Sequence, residues 1–357
     1  METLPMMPEK MQLVVIRKKA KQYGLVKKQL FRKDVNQIII ATDAGREGEL
    51  VARWILEKSE CKKPIKRLWI SSVTDKAIRE GFANLRDGRA YNNLYHAAKA
   101  RAEADWLVGI NATRAMTCKY NAQLSCGRVQ TPTLAMVAHR EKEIRSFVPK
   151  EYYGMQIKSG KKMIIKEVKT TAKKTFAPGL YDLTELQRDA NKRFGYSAKE
   201  TLNIMQRLYE SYKVLTYPRT DSRYITTDVA DTLKERLKAC SVGPYRKLAG
   251  SLSMRPIRKN ASFVDNKKVT DHHAIIPTEQ FVDLQTMTNE ERKVYDLVVR
   301  RFLAVLLPAF EYDQTVFTGG LAGESFTAKG KIVKSQGWKE AYENLETDEE
   351  WEEADDL

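Results

Sequence analysis

Residues 36–58 read "NQIIIATDAGREGELVARWILEK". The apolar run at 38–40 has the character of a buried strand. It gives way to Asp43, the small pair Ala44 and Gly45 makes a tight turn, and Leu50, Val51, Trp54 and Ile55 then recur at helical spacing. A second apolar segment, "QLVVI" (12–16), precedes it across a basic stretch, 17–34, with helical character, and a third, "IKRLWISS" (65–72), follows. Strands alternating with helices predict a parallel, doubly wound sheet whose ligands gather at the carboxyl ends of the strands, where Asp43 falls.

Working outward, 75–145 has a helical pattern, and 151–175 alternates apolar and polar residues around "KSGKK", which predicts a short hairpin. Two helical segments then flank Gly195. The second opens with Ser197 and Glu200 at capping-box spacing and carries a stripe of Leu202, Met205, Leu208, Tyr209 and Tyr212. The pair resembles a helix-turn-helix, a pattern that also serves plain core packing. "TNEERKVYDLVVRRFLAVLLP" predicts a helix stopped by Pro308, and "EYDQTVFTGG" and "ESFTAKGKIVKS" predict strands. The last fifteen residues, "ENLETDEEWEEADDL", hold nine carboxylates and no base, a composition expected to be disordered.

The 357 residues carry a formal charge of +16 despite that acidic end, an imbalance that points to a polyanionic partner. Cys61, Cys118, Cys126 and Cys240 form no C-x-x-C pair, which argues against a zinc site or a redox motif. No apolar run approaches the roughly 20 residues of a membrane span, and the opening residues lack signal-peptide order, so the expected location is cytoplasmic.

Four stretches can carry chemistry. In "ATDAGREGEL" the carboxylates of Asp43 and Glu47 suit a shared hard cation such as Mg²⁺, although acids in a first helical turn also answer to the helix dipole. In "LTYPRTDSRY" (215–224), Pro218 breaks regular structure so that Tyr217 can be presented on a loop. A phenol with a pKa near ~10 attacks a phosphodiester only with positive charge nearby, and Arg219 and Arg223 supply it. Asp221 has the chemistry to orient a histidine or arginine, and Thr220 and Ser222 to donate to phosphate oxygens; a surface tyrosine in a polar turn fits the same letters. In "TDHHAIIPT" (270–278) the side chains of His272 and His273 face opposite ways on an extended segment, so only one faces a given site. In "LSCGRVQTPTL" (124–134), Gly127 permits close backbone approach and Arg128 brings charge, as phosphate contact requires.

Together "TDAGREGE", "RAEADWLVGINATR", "LSCGRVQTPTL", "LYDLTELQRDANKRFGYSAKETLNIMQRLYE", "LTYPRTDSRYI" and "DHHAIIPT" occur in the order found in type IA DNA topoisomerases, and their wording is similar to the bacterial topoisomerase III branch. The resemblance implies an enzyme that cuts one DNA strand, holds its 5′ phosphate covalently on a tyrosine, passes another strand and reseals the break. It implies Tyr217 as nucleophile, Arg219 as the phosphate-binding arginine, His272 as the active-site histidine with Asp221 as its partner, and Asp43 and Glu47 as acids of the Toprim D-x-D-x-E pattern. Arg101, Asp105, Gly127, Arg128 and Gln130 fall in motifs that line a single-strand channel, and Arg46, Ser125, Thr131, Thr220, Ser222 and Arg223 are further DNA-binding residues that the resemblance implies.

The implied fold is a multi-domain α/β plus α+β chain. A partial Toprim domain with a parallel sheet (1–62) leads to a helical DNA-channel domain (63–150) and a shortened β-arch segment (151–178). A helix-turn-helix-like domain with the tyrosine (179–308), a returning β-arch segment (309–342) and the acidic tail (343–357) follow. The implied partner is single-stranded DNA, the implied setting cytoplasmic and nucleoid-associated, and family members generally act as monomers.

Three departures set further expectations. Gly45 stands where the middle aspartate of the Toprim pattern commonly lies, so Mg²⁺ binding is expected to be weak. The family's opening E-K-P-S-like strand is not seen, so the chain is expected to resemble a fragment that a complementing N-terminal segment would complete. The stretch between "EYYGM" and "LYDLTEL" is also shorter than the family's. A catalytically inactive single-stranded-DNA-binding fragment or accessory protein is the competing expectation, and a tyrosine recombinase or replication-initiation nuclease a more distant one.

Overall fold

The computed structural model describes residues 4–71, 73–153, 164–257, 259–321 and 323–343. It divides into two compact units, residues 1–70 with 80–157, and residues 71–79 with 158–357.

In the first unit, helix α1 (Ala20–Leu30) leads to strand β1 (Ile38–Ile40), helix α2 (Arg46–Ser59) and strand β2 (Ile65–Arg67). β1 and β2 are parallel, and a short antiparallel strand β3 (Arg86–Asp87) completes the order β1-β2-β3. The strand–turn–helix expected from "NQIIIATDAGREGEL" is present, with Leu30, Ile40, Ala52 and Leu56 as its small core. The strand expected at 12–16 is not: those residues carry no sheet pairing, and Val14 and Ile16 are largely exposed. Their apolar letters alone do not make a strand without a neighbour to receive the backbone hydrogen bonds. The long α4 (Asn92–Tyr120) and α5 (Gln130–Arg145), in which no residue is buried, complete this unit, while helix α3 (Asp75–Ala83) has residues in both units.

The second unit holds the main core. Helices α6 (Leu183–Phe194) and α7 (Ala198–Glu210) meet across Gly195, whose φ of +70° favours glycine. The predicted capping box forms between Ser197 and Glu200. The buried stripe of α7 runs through Thr201, Ile204, Met205 and Leu208, so of the expected stripe Met205 and Leu208 lie in it and Leu202, Tyr209 and Tyr212 do not. Short helices α8 (Thr227–Asp231), α9 (Leu233–Ala239) and α10 (Arg246–Met254) precede α11 (Asn289–Val305), whose buried residues include Val294, Tyr295, Val298 and Phe302.

Strands β4 (Ile164–Thr175), β5 (Phe310–Leu321) and β6 (Glu324–Ser335) form an antiparallel sheet in that order. The hairpin expected across 151–175 has its turn outside the described residues. Its described strand, β4, pairs with β5, far along the sequence. The acidic end from 344 onward also lies outside the described residues.

Candidate active site and nucleic-acid interface

In the second unit, chain 214–225 runs beside 272–278. Thr216 N–H donates to the Ile276 carbonyl at 3.0 Å, Thr278 N–H to Val214 at 3.0 Å and Ala274 N–H to Tyr224 at 2.9 Å. Leu215 and Pro277 form an antiparallel bridge, and Ile275 N–H donates to Tyr181 at 2.8 Å, so the proline-broken loop is one of three segments pinned together. The pairing sets Tyr217 beside His272, with ring centroids 4.2 Å apart and planes tilted by 37°. Tyr209 meets the Tyr217 ring in an edge-on arrangement, with centroids 5.4 Å apart.

The two histidines divide as extended backbone requires. His272 is part-exposed at Tyr217, whereas His273 is buried with Nδ1 2.8 Å from the Ala274 carbonyl. Burial is the largest influence on His273 and pushes its pKa down to about 4, so its imidazole is neutral at physiological pH.

Arg219 is exposed and forms no ion pair among the described residues, a guanidinium open to an incoming anion. Arg223 is tied down: Nε donates to the Leu180 carbonyl at 3.2 Å and lies 4.0 Å from Asp182. The Asp221 carboxylate accepts from the Thr270 hydroxyl at 2.9 Å. Thr220 and Ser222, read from sequence as phosphate donors, are buried. Thr220 donates to the His272 carbonyl at 2.9 Å and Ser222 to the Lys268 carbonyl at 2.8 Å. Their hydroxyls fasten the tyrosine loop to the histidine segment, because a buried hydroxyl must find an acceptor.

Sequence reasoning missed a deeper support on this side. Arg301 is nearly inaccessible and donates to the Gly179 carbonyl at 3.1 Å, the Tyr181 hydroxyl at 3.1 Å and Asp189 at 2.8 Å. It braces the segment that receives Ile275. An arginine amid the apolar letters of "VVRRFLAV" was the available signal.

In the first unit, Asp43 and Glu47 are exposed at the strand end and in the first turn of α2. Gly45 is the N-cap of that helix, with extended backbone. The loop carrying Asp43 is held from below by Arg67, which is fully buried. Its guanidinium donates to the carbonyls of Ile40 at 3.1 Å, Thr42 at 2.8 Å, Leu68 at 2.6 Å and Asp43 at 2.5 Å. Glu49, also fully buried, compensates its charge at 2.9 Å and takes a second arginine, Arg53, at 2.8 Å. Burial pulls the Arg67 pKa down, and Glu49 opposes it. Gly48 lets helix and loop touch, since a Cβ there would stand 2.3 Å from the Asp43 carbonyl oxygen.

The Toprim resemblance implies a divalent cation, and the donor set can be tested against it. Among the described residues no three His, Cys, Asp or Glu side chains gather as a metal site. Glu49 is committed to arginines and position 45 has no side chain, so Asp43 and Glu47 do not by themselves make a cage for a resident ion.

The turn between α4 and α5 is fixed by two threonines of α4. Cys126 N–H donates to the Thr113 hydroxyl at 2.9 Å, and the Thr117 hydroxyl donates to the Leu124 carbonyl at 3.1 Å. Gly127 N–H donates to the Thr131 hydroxyl at 3.1 Å. Arg128 pairs with Asp105 at 2.9 Å, which joins two of the predicted channel residues, while Arg101, Ser125 and Gln130 are exposed. Arg46 is exposed at the start of α2.

The DNA topoisomerase family model matches residues 89–162 and 154–357, and the Toprim domain model residues 2–73, so the chain belongs to the type IA DNA topoisomerase family. It is 58% identical to DNA topoisomerase 3 of Bacillus cereus (strain ATCC 10987 / NRS 248) over 381 residues, covering 98% of this chain and 52% of that protein. It is 57% identical to DNA topoisomerase 3 of Bacillus subtilis (strain 168) over 383 residues, covering 99% and 53%. Full-length topoisomerase I from Thermotoga maritima superposes with a TM-score of 0.67 at 25% identity, covering 93% of this chain and 59% of that one.

The chain thus spans about half the length of the curated relatives it matches. An aligned span longer than the chain itself requires those relatives to carry internal residues without a counterpart in this sequence. The two family matches meet at residues 154–162, where the sequence predicts a shortened arch.

Proposed function

We propose that the chain performs type IA strand cleavage of the topoisomerase III kind, with Tyr217 as nucleophile on single-stranded DNA. The observation that carries this reading is the clamped juxtaposition of Tyr217 and His272, with Arg219 open to solvent one residue beyond Pro218. In the cleavage step the Tyr217 oxygen bonds to phosphorus, the bond from phosphorus to the 3′ oxygen breaks, and the 5′ phosphate remains on the tyrosine. The phenol proton is lost as the bond forms, and the departing 3′ oxygen gains one. Arg219 offsets the charge of phenolate and pentacovalent phosphate, and His272 stabilises the phosphate or takes part in proton transfer. The reverse attack by the 3′ hydroxyl reseals the strand and frees the tyrosine.

Buried Thr220 and Ser222 support the reading as fasteners of the loop, and Asp221 orients the 270–272 segment through Thr270. Arg46, Arg101, Asp105, Gly127, Arg128 and Gln130 guide the strand. With Gly45 in the acid pattern, Mg²⁺ is a weak cofactor for this chain. We place the protein in the cytoplasm with the nucleoid, acting as a monomer or with a complementing topoisomerase segment. Among the described residues no helix is long and apolar enough to cross a membrane. A second reading, a DNA-binding protein without chemistry, draws on the same Gly45.

Denaturant quenching of a reaction with labelled single-stranded oligonucleotide separates the two. Trace covalent adduct is expected from the native chain and none from Tyr217→Phe. Tight binding with no adduct under any condition would favour the second reading.

A further inference from the structure

The register of β4, β5 and β6 sorts charge between the two faces of their sheet. Lys173 lies opposite Tyr312, Thr171 opposite Gln314, Lys169 opposite Val316 and Glu167 opposite Thr318. Across the next ladder Gln314 meets Lys331 and Val316 meets Lys329. Directly paired residues share a face. Lys169, Lys173, Lys329 and Lys331 therefore project from one side, all exposed, with Glu167 as the carboxylate of that side. Lys166, in the bulge of β4, lies across Gly320 of the same face.

The opposite face is neutralised. Its Lys174 pairs with Glu311 at 2.7 Å, and Lys334 reaches Asp313 at 3.1 Å. Solvated lysines scattered for solubility would be interspersed with acids on both sides. Here the acids of β5 go to one face, while Lys169, Lys173 and Lys331 collect on the other, where their mutual repulsion is a cost that a bound polyanion would remove. Lys169 and Lys173 stand about 13 Å apart along a strand, and two strand spacings add about 10 Å across it, an area that meets several phosphates of a nucleic acid. Of the aromatic side chains on that face, Phe310 is buried and Tyr312 is capped by Lys331 at 4.5 Å, so neither offers an open ring for base stacking.

We propose that this lysine face is a second DNA-binding surface, separate from the strand engaged at Tyr217, that grips the phosphate backbone without reading sequence. The choice of DNA among polyanions rests on the proposed strand-cleavage function; the surface itself rests on the register.

Binding to a short mixed-sequence duplex is measured by fluorescence anisotropy between about 50 and 200 mM salt, where each neutralised phosphate adds about 0.9 to the slope of log affinity against log salt. K169Q/K173Q/K331Q is compared with the opposite-face control K174Q/K334Q, with circular dichroism confirming that both fold. The triple variant is expected to flatten the slope by about 2 to 3 and the control to leave it unchanged. An unchanged slope in the triple variant, or an equal loss in the control, overturns the proposal. A flattened slope in a protein that forms no Tyr217 adduct upholds the surface and defeats the cleavage reading; adduct formation with an unchanged slope does the reverse.

Discussion

His272 and His273 occupy consecutive positions and live in opposite environments, one against the Tyr217 ring and one in the interior. Because the folded pKa of His273 is about 4 against an ordinary value of 6.5, the unfolded chain takes up a proton first as pH falls. The contribution of this residue is thus fully present above pH 6.5 and is lost progressively down to pH 4. The loss is on the order of 3 kcal/mol. Urea midpoints at pH 4.5 and pH 7.5 are expected to differ more in the native protein than in His273→Gln; an equal difference would show that His273 is charged when folded. Gly45 permits a second prediction. Calorimetry should find little Mg²⁺ binding below the low-millimolar range, and Gly45→Asp should tighten it by adding a carboxylate between Asp43 and Glu47. Saturation of the native chain well below that range would mean that other ligands complete the site. From chemistry alone the sequence offered Tyr217 and one of two histidines; the choice of His272 came from the family resemblance, and it is His272 whose ring lies beside Tyr217. The inward turn of Thr220 and Ser222 was not legible, since it depends on acceptors about 50 residues away at His272 and Lys268.

At the scale of elements, the turn between β1 and α2 works as a unit in which Gly48, Glu49 and Arg67 hold the Asp43 loop. Glu49→Ala would leave Arg67 buried without its carboxylate, a change that commonly costs about 3 to 5 kcal/mol. Thermal melting is expected to show the first unit destabilised by that order, with Glu49→Gln less severe; a melt unchanged in both variants would contradict the bracing role. Gly48→Ala should also displace the loop, because its methyl group would collide with the Asp43 backbone. The helices α6, α7 and α11 were readable because capping boxes and apolar periodicity are local signals. The 12–16 segment misled for the converse reason: pairing is not a local property. β4 likewise shows little inward-facing pattern, and its partner β5 lies more than a hundred residues away.

For the molecule as a whole, the +16 charge and the family membership agree on a polyanionic partner, and the chain covers about half of its curated relatives. In the proposed reaction the cleavage chemistry belongs to the second unit, while the acid set at the strand end of the first is reduced. Plasmid relaxation by this chain should therefore be undetectable under conditions in which oligonucleotide cleavage is traceable, and robust relaxation would show that the reduced acid set suffices. The decisive bond is the one between Tyr217 and phosphorus. After quenching, the trapped protein–DNA adduct is trimmed with nuclease and proteolysed, and the modified peptide is sequenced by mass spectrometry. The expected species is a nucleotide joined through its 5′ phosphate to Tyr217 in the peptide containing "LTYPR", absent from Tyr217→Phe. A linkage through a 3′ phosphate, or an adduct on any other residue that persists in Tyr217→Phe, would contradict the assignment of Tyr217 as the nucleophile.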